Sequence, residues 1–367
     1  MNLKKLSLAA LSLTLSVGLL AGCANNGAGT TSPSTKPSES TAPTTSASAK
    51  PSETTPATTP AEGAVKTGMS IMTSISSSKN ATADADGQAA SNIQIVAVTV
   101  GDDGVIDSCV IDAIQPKITF NAKGELTTDT ATLFQTKNEL GEAYGMKKAS
   151  PIGKEWNEQA AAFAAYAVGK TVDELKGIAV NEKGAPTDAD LTASVTIGVG
   201  EFISGVEAAV NSATHLGAQK GDKLGVAAST NMSKSKNATA DAEGQAQAYA
   251  TMSAVTMSGD KITSCYIDAV QPTVKFNAAG EISTDLEAAV KTKNELGDDY
   301  GMRKASAIGK EWNEQAAAFG AYVTGKTVEE VKGLAVDDAG KAADADLVAS
   351  VTVGIGEFQE LIEKAAK

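Results

Sequence analysis

An internal duplication constrains this chain more than any other feature of its sequence. Residues 152–163 return without change as residues 308–319. Residues 109–196 match the second copy with a constant offset of 156, and upstream of them the offset is 157. The second copy is therefore one residue shorter, and this difference falls in a predicted hairpin turn, where a change of length is easily absorbed. The sequence therefore predicts two homologous domains, 66–214 and 223–367, each of the size of a single domain.

The amino terminus has the pattern of an export signal. Lys4 and Lys5 precede an apolar run over residues 6–20, which is too short for a stable membrane span and ends in small residues. The following Leu-Ala-Gly-Cys resembles the lipobox of bacterial lipoproteins, in which the signal is cleaved and the cysteine is acylated. This resemblance implies that residues 1–22 are removed and that Cys23 carries the lipid anchor. The alternative is an ordinary secretory signal with an incidental cysteine.

Residues 23–65 are dominated by Ser, Thr, Ala and Pro and contain no aromatic residue. Such a segment cannot bury enough apolar surface to offset the entropy of ordering, so we expect a disordered tether. Fully extended, it would span about 130 Å. The sequence thus predicts a folded part that stands away from the outer side of the membrane, in an extracytoplasmic location.

Charge and residue types exclude several function classes. The formal net charge of −13 and the lack of a Lys/Arg cluster argue against nucleic-acid binding. His215 is the only histidine, so a Ser-His-Asp triad or a histidine-based zinc site is not available. The carboxylates of residues 84–87 could indicate calcium or a solvated turn, and they lack the other ligands of a calcium loop. Cys109 and Cys265 are predicted to be small apolar strand residues, although pairing between domains remains an alternative.

The order of predicted elements within one repeat is strands followed by helices, which is typical of an α+β fold. Residues 92–100, 105–114 and 117–120 predict an antiparallel β-meander. A short helix is predicted over 129–140, and a stronger one over 154–168. Further helix signals begin at Thr171 and after Gly198–Gly200, and they complete a layer of helices against the sheet.

Both repeats resemble the FMN-binding domain family. The features that carry the resemblance are the paired strands, Tyr-Gly-Met-Lys at residues 144–147, Glu-Trp-Asn-Glu-Gln at 155–159, and a terminal Asp-x-x-small-small-small-Thr motif before a helix. This motif occupies residues 190–196 and 346–352. With the lipid anchor and the tether, the arrangement is similar to the PplA-type extracellular electron-transfer flavoproteins. The family's Ser/Thr-Gly-Ala core is replaced here by Ala-Ser-Val.

The resemblance implies a cofactor and its ligands. FMN would be joined through its phosphate to Thr196 and Thr352 by a separate flavin transferase, and Asp190 and Asp346 would help to present these threonines. From the residues alone, a Thr before a helix is more often a simple N-cap.

The aromatic residues of each copy have two interpretations. Tyr144 and Tyr300 adjoin glycines in a predicted loop and are candidates for contact with the flavin ring. Trp156 and Trp312 could also stack on a flavin, but their helical spacing favours a place in the core. Lys147 and Arg303 could face a phosphate or solvent. The charges at 154–155 are interpreted as exposed ones in a first helical turn.

Three functions follow from these observations. The first is a membrane-anchored extracellular FMN carrier that relays electrons from a membrane NADH- or quinone-linked dehydrogenase to outside acceptors, with no catalytic residue of its own. The second is a duplicated surface lipoprotein that binds a small molecule, a peptide or a wall component without redox function. The third is a structural or immunogenic surface protein. A hydrolase is the weakest interpretation, because no nucleophile–base pair is present.

Overall fold

The computed structural model describes residues 63–367. The predicted signal segment, Cys23 and all but the last three residues of the predicted tether lie outside the described residues. Residues 64 and 65, which the sequence analysis assigned to the tether, contact the connection between the repeats: Ala64 pairs with Gln219, and the Val65 amide donates to the Ala218 carbonyl at 3.0 Å. No helix in the described range is both long and apolar enough to cross a bilayer.

The two repeats have the same order of elements. The strands of the first are β1 (Lys66–Ser74), β2 (Gly87–Ala90), β3 (Asn92–Val100), β4 (Ile106–Ile114) and β5 (Lys117–Phe120). Its helices are α1 (Lys137–Leu140), α2 (Trp156–Ala167), α3 (Val172–Lys176), α4 (Ala189–Thr192) and α5 (Gly200–Ser212). The strands of the second are β6 (Lys223–Asn231), β7 (Gly244–Gln247), β8 (Tyr249–Ser258), β9 (Lys261–Val270) and β10 (Thr273–Phe276). Its helices are α6 (Lys293–Leu296), α7 (Trp312–Val323), α8 (Val328–Lys332), α9 (Ala345–Val348) and α10 (Gly356–Ala365).

The α+β class is confirmed, but the expected meander is only partly correct. The main sheet of the first repeat has the antiparallel order β1-β3-β4, so the strand that the sequence analysis missed, β1, pairs with the central strand. The predicted third strand, β5, leaves this sheet and pairs with β2 instead. Pro116 lies between β4 and β5 and cannot donate to a ladder, so the chain is redirected there. The second repeat repeats this topology as β6-β8-β9 and β7-β10.

The helix predicted over 129–140 is much shorter in the structure. Only Lys137–Leu140 is helical. The Asp129 side chain accepts the Ala131 amide at 2.9 Å, which stabilises a turn in place of a helix. Thr136 then forms a capping box with Glu139, and this fixes the start of α1.

Helix α2 forms as its sequence predicts. The residues expected on one face are buried: Trp156, Ala160, Phe163 and Ala167. They pack on the sheet with residues of β3, β4 and α5 to make the core of the first repeat. Close approach of helix to sheet is achieved by a glycine: a Cβ atom on Gly68 of β1 would clash with the Ala209 carbonyl of α5.

The two main sheets pack face to face, so the molecule has four layers: helices, sheet, sheet, helices. β1 lies across from β9, and β4 lies across from β6. The alternate residues of β3 divide between two cores, because Val96 and Val98 face the helices while Ile93 and Ile95 face the other repeat. Burial on both faces explains why β3 is a nearly continuous apolar run.

A second contact between the repeats is reciprocal. The Phe120 and Phe276 rings stack with centroids 4.1 Å apart and planes inclined by 1°. Asn80 Oδ1 accepts the Ile282 amide of the second repeat at 2.8 Å, and Asn237 Oδ1 accepts the Leu126 amide of the first at 2.8 Å. Both asparagines belong to a repeated segment, Lys-Asn-Ala-Thr-Ala-Asp, at residues 79–84 and 236–241. These segments are therefore parts of an interface with approximate two-fold symmetry.

Candidate functional site

Thr196 and Thr352 occupy equivalent, half-buried positions between two helices. Thr196 follows α4 and precedes α5. The interpretation of Thr196 as an N-cap is wrong, because the N-cap position of α5 is Val199, and no side chain caps that helix. The hydroxyl of this threonine is therefore not used to start the helix.

A buried glutamine from the duplicated stretch holds each threonine. Gln159 Oε1 accepts the Thr196 amide at 2.8 Å and the Thr196 hydroxyl at 3.2 Å. Gln315 Oε1 accepts the Thr352 amide at 2.7 Å and its hydroxyl at 3.2 Å. Both glutamines are 0% exposed. The sequence analysis missed this residue, although its place inside the perfectly repeated segment was a signal.

The residues before the threonine are fixed by local contacts, and Ser194 stands at the position of the glycine in the motif compared above. Ala193, one residue earlier, has φ −70° and ψ −17° and ends α4. The Ser194 hydroxyl donates to the Leu191 carbonyl at 3.2 Å, and Val195 is completely buried in the core. The substitution of Gly-Ala by Ser-Val thus adds an anchoring side chain to the loop and leaves the threonine in a fixed position.

Within the described part of the chain, the aspartates of the motif take no part in the hydrogen bonds that hold the threonines. Asp190 and Asp346 are exposed residues in the first turns of α4 and α9. Their amides are capped by Asp188 and Asp344 at 2.8 and 2.9 Å. Within residues 63–367 their carboxylates make no hydrogen bond to the motif threonines. They are placed as exposed anions near the site.

The predicted ring-contact residues surround a lysine. Lys293 Nζ lies 4.6 Å from the Tyr300 ring centroid, 4.4 Å from that of Trp312 and 4.7 Å from that of Tyr249. It also donates to the Tyr249 hydroxyl at 3.0 Å. Burial lowers the pKa of Lys293 to about 8, although the Glu357 and Asp268 charges oppose the shift.

The first repeat has the same lysine–aromatic arrangement with one ring fewer. Lys137 Nζ lies 4.7 Å from the Tyr144 centroid and 4.5 Å from the Trp156 centroid. The Tyr144 hydroxyl donates to Gln115 at 3.2 Å. Trp156 belongs to the core, as its spacing favoured, and contacts Phe202 edge-on with centroids 5.7 Å apart.

The interpretation of Glu155 and Glu311 as exposed charges is wrong. They are 2% and 1% exposed. The Glu155 carboxylate accepts the Met146 and Lys147 amides, both at 2.8 Å, and thereby ties the Tyr144 loop to the start of α2. Lys147 itself is on the surface and pairs with Glu142 at 3.1 Å.

Arg303 also pairs locally rather than facing an unpaired anion site. Its guanidinium contacts Asp298 at 2.5 Å and Glu314 at 3.1 Å. Both carboxylates lie at the surface, where ion pairs are screened by solvent and contribute little to stability. Arg303 is therefore a surface residue with acidic partners.

A cleft of about 390 Å³ in the second repeat is lined by Val353, the residue that follows Thr352. Trp312 and Tyr249 line one part of it, and Val353, Gly354 and Gly356 line another. A Cβ atom at Gly356 would meet no other atom within 4 Å, so the backbone here borders open space. The amides at the start of α10 border the same space, and such amides favour an anion.

The other sequence hypotheses have simpler outcomes. No group of three or more metal-ligating side chains occurs within residues 63–367. Asp86 accepts the Thr127 hydroxyl at 2.7 Å in a surface turn. Cys109 and Cys265 are both free thiols, so the disulfide between domains is not formed.

Comparison with known proteins adds no relative to this description. No protein-family model, no curated protein sequence and no solved structure matches the chain.

Proposed function

We propose that this protein is a lipid-anchored, extracytoplasmic flavin carrier that binds one FMN in each repeat, at Thr196 and Thr352. The observation that carries the proposal is the pair of identical Thr–Gln arrangements. A half-buried hydroxyl is held in the same place twice by a fully buried glutamine. Neither threonine caps a helix, because the N-cap positions of α5 and α10 are Val199 and Ile355, so the hydroxyls are not used in that structural role.

The residues around Thr352 fit a flavin nucleotide. The next residue, Val353, lines a cleft of about 390 Å³, which is within the size range of small-molecule sites. Trp312 and Tyr249 offer apolar surface for a ring, and the amides at the start of α10 offer donors for a phosphate. FMN would supply the redox chemistry, and the chain would supply position and electrostatics.

The chain's own residues have defined tasks in this proposal. Esterification replaces the Oγ1 proton of Thr352, so the Oγ1–Gln315 hydrogen bond is lost while the amide–Gln315 bond at 2.7 Å remains. Lys293 is a buried cation 4.4 Å from the Trp312 ring centroid, and a cation near a flavin favours its reduced, anionic form.

The partners in the proposal follow from the same chemistry. A flavin transferase would move the FMN phosphoryl group from a flavin dinucleotide to the threonine Oγ1, so that the phosphoanhydride bond breaks, the nucleoside monophosphate leaves and the hydroxyl proton is released. A membrane NADH- or quinone-linked dehydrogenase would supply electrons, and an acceptor outside the cell would take them. Cys23 would join the protein to membrane lipid.

The test is the intact mass of the denatured protein. The full chain is exported from cells that co-express a flavin transferase, denatured and weighed. We expect two added flavin mononucleotide units, each less one water, with one unit lost in Thr196→Ala and the other in Thr352→Ala. Ser350→Ala is the matched control, since it removes a neighbouring hydroxyl that donates only to the Leu347 carbonyl.

Two other results would overturn the proposal in different ways. Unmodified mass with yellow colour before denaturation would show FMN held without a bond, and the threonines would lose their assigned role. Colourless protein of unmodified mass would remove flavin altogether and leave the second candidate, a binding protein without redox function. That candidate is favoured by a separate cavity in the second repeat.

A further inference from the structure

A cavity of about 420 Å³ lies in the second repeat, apart from the Thr352 cleft. Its walls are β9, helix α7 and the connection between the repeats. Cys265 and Ile267 contribute from the strand, and Ala317 and Ala321 contribute from exposed positions on the helix. The volume is within the range of sites that bind small molecules.

Two residues of the lining have buried oxygen atoms without a hydrogen-bond partner. Asn294 Nδ2 donates to the Ile267 carbonyl at 3.1 Å, but Asn294 Oδ1 has no donor within the described chain. Asn313 Oδ1 is in the same condition on the helix side. A buried unsatisfied acceptor costs about 1–3 kcal/mol, so two of them around one cavity indicate a ligand that brings donors.

The lining carries almost no charge. It includes no Asp, Glu, Lys or Arg from the described part of the chain. Its titratable side chains are His215, Cys265 and Tyr266. His215 Nε2 is paired with Asp102 Oδ1 at 3.1 Å, and burial raises the pKa of the Tyr266 hydroxyl. Burial raises the pKa of the Cys265 thiol to about 12, so this group also stays neutral. Because burying an ion without a partner is costly, the cavity favours an uncharged ligand.

The second repeat differs from the first where the cavity is formed. Three positions are polar or smaller in the second repeat, namely Tyr266, Gly320 and Thr324, where the first has Val110, Ala164 and Val168. All three of the second-repeat residues line the cavity. A Cβ atom at Gly320 would lie 2.5 Å from the Cys265 carbonyl oxygen. These three differences distinguish the lining of the cavity from the equivalent surface of the first repeat. The unpaired Asn313 Oδ1 is shared with its equivalent, Asn157 Oδ1, whereas the unpaired Asn294 Oδ1 occurs in the second repeat.

We propose that this cavity binds an uncharged heterocycle or aryl amide whose N–H groups donate to Asn294 and Asn313. The ring packs against the small side chains of α7, which present flat apolar surface at Ala317 and Ala321. The proposal does not depend on flavin attachment, because none of its residues contacts Thr196 or Thr352.

The test uses two probe pairs that differ only in N–H groups. Thymine and nicotinamide carry donors, and 1,3-dimethylthymine and N,N-dimethylnicotinamide do not. Binding to the mature full-length protein is measured by saturation-transfer NMR and titration. We expect at least one donor probe to bind, and its methylated partner to bind about tenfold more weakly, as the loss of one hydrogen bond to a buried acceptor predicts.

Matched variants locate the binding. Ala317→Phe fills the cavity from an exposed helix position and should abolish binding, whereas Ala161→Phe makes the same change at the equivalent exposed position of the first repeat and should not. Asn313→Ala should weaken binding about tenfold. Thr352→Ala should leave binding unchanged, which separates this site from the flavin site.

The outcomes that overturn the proposal are also specific. It fails if neither donor probe binds, or if the methylated partners bind equally well. It fails as well if Ala317→Phe retains the wild-type melting temperature and the wild-type affinity. Equal loss of binding in Ala317→Phe and Ala161→Phe would place the probe elsewhere and would reject the cavity as the site.

Discussion

The stacked phenylalanines predict that the two repeats unfold as one unit. Phe120 and Phe276 are both 0% exposed, and their rings lie 4.1 Å apart across the interface. Replacement of either by alanine removes a fully buried ring and should lower the free energy of unfolding by about 3–5 kcal/mol. The double variant should cost about 1 kcal/mol less than the sum of the single variants, because both remove the same stacking contact.

Each repeat contains one tryptophan, and this allows the two halves to be followed separately. Trp156→Phe leaves Trp312 as the reporter of the second repeat, and Trp312→Phe leaves Trp156 as the reporter of the first. Urea unfolding of both backgrounds should give coincident transitions. Phe276→Ala should lower the urea midpoints of both transitions by about 1 M or more. This shift is the expected loss of about 3–5 kcal/mol divided by the slope of the unfolding free energy, about 3 kcal/mol per M urea.

The control pair is Phe163 and Phe319. Each is 0% exposed but lies in the core of its own repeat, between helix and sheet. Their alanine variants should cost about as much as the interface variants, with no coupling in the double variant. Two separate transitions, with Phe276→Ala moving only the second, would refute the shared core. So would coupling of Phe120 with Phe276 no larger than that of the control pair.

Three further predictions concern stability and reactivity. Gln315→Leu leaves the Thr352 amide without an acceptor and should lower the free energy of unfolding by about 1–3 kcal/mol, measured in urea; a loss below about 0.5 kcal/mol would show that water replaces the glutamine. Burial raises the pKa of Asp268 to about 6, above the value near 3.9 of an unfolded Asp, so its contribution to stability is full below about pH 4 and is lost as pH rises through about 6. Asp268→Asn should therefore flatten the pH profile of the unfolding free energy in this window, and an unchanged profile would contradict the assignment. Cys265 is buried and Cys109 is half-buried, and desolvation raises the pKa values of both thiols to about 12, so alkylation followed by peptide mass spectrometry should label both much faster after denaturation; equally fast labelling of the native protein would contradict the raised pKa values.

The sequence predicted those parts of the fold that local pattern decides. The apolar face of α2 follows from helical spacing, and the start of α3 follows from the Thr171–Glu174 capping box. Strand β1 was missed because its residues are mixed in type and are buried by α5 on one face and by the second repeat on the other. The pairing of β5 with β2 was also missed, because the residue pattern of a strand does not determine which other strand it pairs with.

The candidate site was predicted in part for a similar reason. Thr196 could be singled out because it ends a repeated motif, but its anchor Gln159 lies 37 residues away in the chain. The role of Glu155 was hidden too, because a charged residue in a first helical turn is usually solvated. Only the tertiary structure shows that its carboxylate binds the amides of a distant loop.

The reciprocal asparagine contacts have a consequence for how this chain could arise. One repeat contains both members of the contact: the Asn80 side chain that accepts, and the Leu126 amide that needs an acceptor. A lone repeat is thus complementary to a second copy of itself, which is the requirement for a two-fold dimer. If two copies were joined in one gene, the association of two molecules would become an intramolecular contact, with a linker of a few residues between the repeats. A chain of residues 66–214 alone should accordingly elute as a dimer in size-exclusion chromatography, and Asn80→Ala should shift it toward the monomer.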